Sequence, residues 1–436
     1  MRPDGLKVEG RADVLTIGFG ATVAMWAAVY LLRLPGSAVP SWALGVVLLV
    51  CLLGAGVTAG RWAAGGWRSG AAAGLLSSAL NLLILGSLLG GDRPNEVAPS
   101  ALWWIPGSLL AGALLGAVGG LVGRRTAGPS GGEIAWTALF ARVAAVATFF
   151  LLMVGGLVTS NKAGLAVVDW PNSFGYNMFL YPLSRMTGGI YYEHAHRLFG
   201  SLVGLTTLVL TVHLLRVEGR RWVKWLAVGS LAAVVVQGIL GGLRVTGRFT
   251  LSASADAVAP NLTLAVVHGV LGQLVFALLV ALAVVTVPSW RAGSPDLAGA
   301  SGSFRGITVG LVGVLMVQLV LGALQRHLAR GLLVHVSLAV VVVVLATWAG
   351  VRALAESRRE PLKRSGRALL TLLLVQVALG LTAYATVGFR APDAAPEFWQ
   401  VIVATAHQAT GAVLLATAVI LALWARRVPA AGRVTG

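Results

Sequence analysis

Apolar residues in this chain come in runs of about twenty, each closed by a short polar or glycine-rich break. Twelve such runs can be counted, near positions 14–32, 42–59, 71–89, 102–122, 136–158, 194–215, 222–243, 262–287, 307–324, 328–351, 368–387 and 398–424. Each is long enough for a helix to cross the ~30 Å of hydrocarbon in a bilayer. A membrane β-barrel would show short alternating segments instead, and none is visible. The pattern predicts an all-α integral membrane protein of about twelve transmembrane helices.

Composition agrees. The chain is 57% hydrophobic and 11% charged, against roughly 25% charged in soluble domains. The formal net charge of +18 raises the question of nucleic acid, and its distribution answers it. With the N-terminus inside, 22 Lys and Arg fall on inner segments and 10 on outer ones, while Arg142 lies within the fifth run. Such a bias sets orientation, so both termini are expected in the cytoplasm and no nucleic-acid partner is implied. No signal peptide is evident, which points to a bacterial cytoplasmic membrane. The single cysteine, Cys51, cannot form an internal disulfide.

The first four runs, residues 1–125, are rich in Gly, Ala and Leu and carry Trp62, Trp67, Trp103 and Trp104 at their ends. They show no evident chemistry, and their role is open. A glycine-rich stretch at 123–132 then reads as a boundary.

Beyond it the sequence repeats. Val236–Gly241, Val317–Gly322 and Val375–Gly380 all fit VQxxLG. Each closes an outward-running span, and each is followed by a loop and a span with a histidine near its start: His268, His335 and His407. Val154-Gly155-Gly156 followed by His196 is a degenerate first copy. A small residue stands four places after each histidine (Gly200, Gly272, Ala339, Gly411), on the same helix face. The expected core is eight helices in two pseudo-repeated four-helix bundles, at 133–290 and 304–427, added to the four N-terminal helices.

Paired imidazoles from facing helices are a common way to hold a haem iron on both axes. The metal ligands expected are therefore His196, His268, His335 and His407. The four sites differ in one respect. Glu193 stands three residues before His196, within reach of the same pocket, where the other copies have Ala265, Leu332 and Ala404. Only the first half pairs an acid with its histidine. That asymmetry suggests one site for chemistry and another for holding or reducing. Nearby, Lys162, Asp169, Trp170 and Arg185 lie on the outer loop, where with Arg197 and Arg244 they could meet haem propionates.

The stretches Gly155–Pro171, Asn177–Leu180 and Gly188–Arg197, the last ending in the ExxHR motif Glu193-His194-Ala195-His196-Arg197, resemble the heme A synthase family of cytochrome oxidase assembly. The resemblance covers roughly residues 135–427 and leaves the first four helices aside. It implies oxidation of the C8 methyl of haem O, the substrate, to a formyl group. It also implies that Glu193 is catalytic, that His196, His268 and Arg197 bind substrate haem, and that His335 and His407 hold a haem b that relays electrons. Candidate partners are a haem O synthase, another oxidase-assembly protein or a second copy of the chain; the electron donor is unidentified.

The sequence also departs from that family. Val158-Thr159 stands where Thr-Arg often follows the glycine pair, Val336 and not arginine follows His335, and no outer-loop cysteine pair exists. His327 competes with His335 as a ligand. Two other functions fit part of the pattern: a b-type cytochrome that only transfers electrons, and a non-enzymatic haem-handling protein.

Overall fold

The computed structural model describes residues 12–84, 86, 89–91, 93–126, 134–246, 261–292, 302–355, 360–388 and 396–427. Among them are thirteen α-helices: α1 (Ala12–Leu32), α2 (Ser41–Trp62), α3 (Trp67–Ile84), α4 (Ala101–Arg125), α5 (Trp136–Ser160), α6 (Gly188–Val217), α7 (Arg221–Val245), α8 (Leu262–Val285), the short α9 (Pro288–Ala292), α10 (Gly302–Leu328), α11 (Leu332–Ala355), α12 (Glu360–Gly388) and α13 (Phe398–Arg426). Eleven are long and apolar enough to cross a membrane. The protein is an all-α, multi-pass membrane protein. Positions 127–132 of the expected boundary lie outside the described residues, as do several of the charges behind the orientation argument, among them Arg2, Lys7, Arg358 and Arg433.

The run at 71–89 is the one that differs. Its helix, α3, spans Trp67–Ile84 and is not among those eleven. Ser69, Ser77 and Asn81 of this helix face α1, where they bond Asp13, Thr22 and Trp26. Other boundaries also move. The tenth run starts at 328, but α10 ends there and α11 begins at Leu332. Ala329 (φ 52°) and Gly331 (φ 87°) make the turn.

The chain packs as two compact units, the first from the described parts of Met1–Val154 and Ala163–Leu231, the second from those of Gly155–Lys162 and Ala232–Gly436.

In the first unit α2, α3 and α4 approach so closely that a Cβ on Gly56, Gly60, Gly74, Gly116 or Gly120 would run into the neighbouring helix's main chain. Lipid tails provide no hydrophobic drive between helices, so close backbone contact of this kind supplies the attraction. The same unit contains α6 and the outer loop before it. Tyr30 of α1 stacks on Tyr191 of α6 at 5.3 Å, and the Tyr191 hydroxyl donates to the Tyr30 carbonyl at 2.7 Å. Trp26 and Tyr30 both set their rings edge-on to Phe199.

In the second unit α10 packs on α11, α11 on α12, α12 on α13 and α13 back on α10. That closed ring is an up-and-down four-helix arrangement. Helix α8 lies against α10 and α13 of the same unit.

Candidate functional site

The outer loop of the first unit is built around one hairpin. β1 (Asn172–Ser173) pairs antiparallel with β2 (Tyr176–Asn177) through a two-residue turn. Phe174 (φ 53°) and Gly175 (φ 78°) both adopt left-handed conformations there, as the favoured hairpin turn requires. Asp169 steadies the turn, its two carboxylate oxygens accepting from the Phe174 and Gly175 amides at 2.7 and 2.9 Å. Asn95, from the loop before α4, accepts from the Asn177 amide at 2.6 Å and donates to the Gly175 carbonyl at 3.4 Å. The loop then enters α6 through Gly188 and Gly189, where a Cβ on Gly189 would lie 3.1 Å from that of Ala166.

Two turns of α6 carry the ionisable residues. Glu193 is buried, and its carboxylate lies 3.4 Å from the Nε of Arg197, one turn further on. The Arg197 guanidinium also donates to the carbonyls of Asp169 (2.7 Å), Asn172 (2.9 Å) and Val167 (2.7 Å). Four of its five N–H groups are thus engaged by the loop and by Glu193. The arrangement gives Arg197 a clear task, fastening the hairpin loop over the start of α6 beside the acid. Asp169 likewise serves the turn, and Arg185 donates to the Tyr176 hydroxyl at 3.2 Å.

The other histidines of this unit separate cleanly. His194, 1% exposed, bonds Ser173 at 3.0 Å and packs 4.9 Å from the Tyr181 ring. Burial pushes the Tyr181 phenol above its ordinary pKa, with Arg185 pulling the other way. His213, in the last turns of α6, is buried and bonded to Thr137 at 2.9 Å. His196, by contrast, is only partly buried, as are His268, His335 and His407. Packed histidines and candidate ligands thus differ in access.

The second unit explains the VQxxLG repeat. Gln237 donates to the His268 carbonyl at 2.8 Å, and Gln318 to the His335 carbonyl at 2.9 Å. Gln376 lies 3.4 Å from the His407 Nε2. One turn beyond each glutamine the glycine accommodates the imidazole. A Cβ on Gly241, Gly322 or Gly380 would stand 3.2, 3.1 or 3.0 Å from the Cε1 of His268, His335 or His407. The motif is a cradle, with glutamine fixing the histidine and glycine making room for its ring.

His335 shares both contacts with the other two copies. His327 has a different setting, with its Nε2 3.8 Å from the position of a Cβ on Gly269, beside His268. Among the described residues no three His, Cys, Asp or Glu side chains gather as a bare metal-ion site.

The second-unit pair fits a haem. His335 and His407 sit on α11 and α13 of one four-helix ring, partly accessible and seated on glycine, and each keeps a buried Nδ1 without a hydrogen-bond partner. A buried polar atom left without a partner is costly and marks a place where a bound group completes the structure.

Comparison with known proteins adds one match. The family described as cytochrome oxidase assembly protein (COX15-CtaA) matches residues 176–336, a stretch that holds Glu193, His196, His268 and His335. Over that stretch the chain is similar to the family; the match leaves the rest of the chain uncovered. No curated protein and no solved structure matches the chain.

Proposed function

We propose that this protein oxidises the C8 methyl of haem O to the formyl group of haem A. The methyl loses two hydrogens and gains one oxygen, a four-electron oxidation whose electrons must pass to an external acceptor, dioxygen or a redox partner. The observation that carries this reading is the buried Glu193 carboxylate, three residues before His196 and without an acidic counterpart in the other copies. A cytochrome that only passes electrons needs its imidazoles and has no use for that acid.

His196 and His268 are each proposed to bind the substrate haem. His335 and His407 are the proposed ligands of a resident haem b, which supplies one-electron redox chemistry when bound. Glu193 takes or returns a proton at its carboxylate, or orients a water, at the reacting carbon. Arg197 keeps that carboxylate in place and draws the hairpin loop over it, which limits access of bulk water. The protein is placed in a bacterial cytoplasmic membrane, with both termini inside and the histidines toward the outer face. The domains are assigned as an N-terminal extension (1–125), a catalytic half (133–290) and a haem b half (304–427).

The test is to purify the protein from cells that supply haem O, extract its haems and weigh them. Haem b together with haem A, or with a hydroxylated haem O, is the expected result. Haem b alone beside unchanged haem O would move the assignment to an electron-transfer cytochrome.

A further inference from the structure

The three cradles are alike in glutamine and glycine but differ one turn further along. The residue four places after the glycine is Val245 in α7, Arg326 in α10 and Tyr384 in α12. Gln318, Gly322 and Arg326 therefore form one stripe on α10. The first two hold His335, and the third puts a guanidinium one turn away on the same face.

Arg326 stands in the last turn of α10, and an arginine turned into the protein at the end of a span calls for a reason. Arg326 donates to the Ser160 hydroxyl at 2.7 Å, the Gly156 carbonyl at 3.1 Å and the Ala404 carbonyl at 3.3 Å. Ser160 in turn bonds Thr405 at 3.1 Å. Ala404 is three residues before His407 on α13, so the guanidinium is tied to the helix that carries the second ligand, and it lies within electrostatic reach of His407. Its Nε is buried and has no hydrogen-bond partner. The carbonyls and hydroxyl it does meet are neutral. What this arrangement lacks is an anion.

We propose that Arg326 is the counter-charge of the haem held by His335 and His407, its guanidinium facing that haem's anionic carboxylate edge and holding its reduction potential up. This rests on the assignment of haem to that pair. A fixed cation beside a haem favours the reduced form, which carries one positive charge fewer. The ligand chemistry is that of a carboxylate-bearing porphyrin, and arginine suits carboxylate geometry. The same position in the other two copies carries no charge, and the cation that reaches His268 is Arg244, one place earlier on its helix.

The experiment is a spectroelectrochemical titration of the purified full-length chain in a His196→Ala background, so that a single complete ligand pair remains. It compares Arg326, Arg326→Gln and Arg326→Lys proteins. The midpoint should fall in Arg326→Gln and be largely restored in Arg326→Lys, with a low-spin bis-histidine spectrum in both. An unchanged midpoint in Arg326→Gln with haem retained would overturn the proposal. So would an equal fall in both variants, which would mark a lost strut and not a lost charge. If His335→Ala and His407→Ala leave the same haem spectrum in place, the ligand assignment itself is wrong, a failure distinct from the first two.

Discussion

In the second unit each repeat histidine rests on a glycine of the preceding span, with a glutamine one turn away holding its main chain or its ring. In the first unit His196 follows a carboxylate and precedes a guanidinium, and those two are bound to each other and to a surface loop. One design fixes an imidazole from behind and places no carboxylate three residues before it. The other surrounds the imidazole with groups that can move protons and with a loop that closes over them. On the proposed assignment, the repeated sequence pattern differs in the residues beside the histidine and not in the histidine itself.

This contrast can be broken most sharply at the acid. Glu193→Gln keeps the shape of the side chain and removes its proton chemistry, so conversion of haem O should fall about 100- to 10,000-fold while haem b is retained. Extraction and mass analysis of the haems would read both. On the other side, His335→Ala and His407→Ala should each remove the low-spin haem b spectrum, and His327→Ala should leave it intact. Loss in His327→Ala with retention in His335→Ala would reverse the ligand assignment.

The cradle itself predicts smaller effects. Gly380→Ala puts a methyl about 3.0 Å from the His407 ring. Overpacking of this kind costs about 1–3 kcal/mol, so haem should be held roughly tenfold less tightly or worse, as competition by an apo-haem-protein would show. Gln318→Ala removes one hydrogen bond to the His335 carbonyl, worth about 1 kcal/mol. A loss of haem affinity of roughly fivefold is expected. The smallest effect belongs to the first unit: Asn95→Ala releases the hairpin from the preceding loop, and hydrogen exchange at Ser173–Asn177 should quicken by up to about fivefold with α6 unaffected.

Much of this architecture is legible in the sequence, and the parts that are not share a cause. Length and apolarity of the runs locate the spans, because hydrocarbon thickness imposes them. The VQxxLG repeat and its histidines are visible as a pattern, but the task of the glutamine is not, since its partner in α8 and α11 is a main-chain carbonyl that every residue possesses. Arg197 is legible as a charge near the motif, but its grip on the carbonyls of Val167, Asp169 and Asn172 is hidden for the same reason. His213 looks peripheral until Thr137, 76 positions earlier, supplies its bond. The partners of Ser77 and Asn81 in the third run show only once α1 is packed against them.

The anchors of the hairpin carry one more consequence. Tyr30 and Asn95 grip Tyr191 and the 175–177 turn, and both are made well before the segments they hold. During synthesis the early helices and the loop ahead of α4 are in the bilayer while the later segment is still in the ribosome. If that order governs assembly, the hairpin and the start of α6 emerge onto a surface already in place, with the four added helices expected to guide the segments made after them. Moving residues 1–125 to the end of the chain keeps every contact available and inverts that schedule. Protease protection of the hairpin should then lag behind chain completion, and prompt protection would show that the order of arrival does not matter.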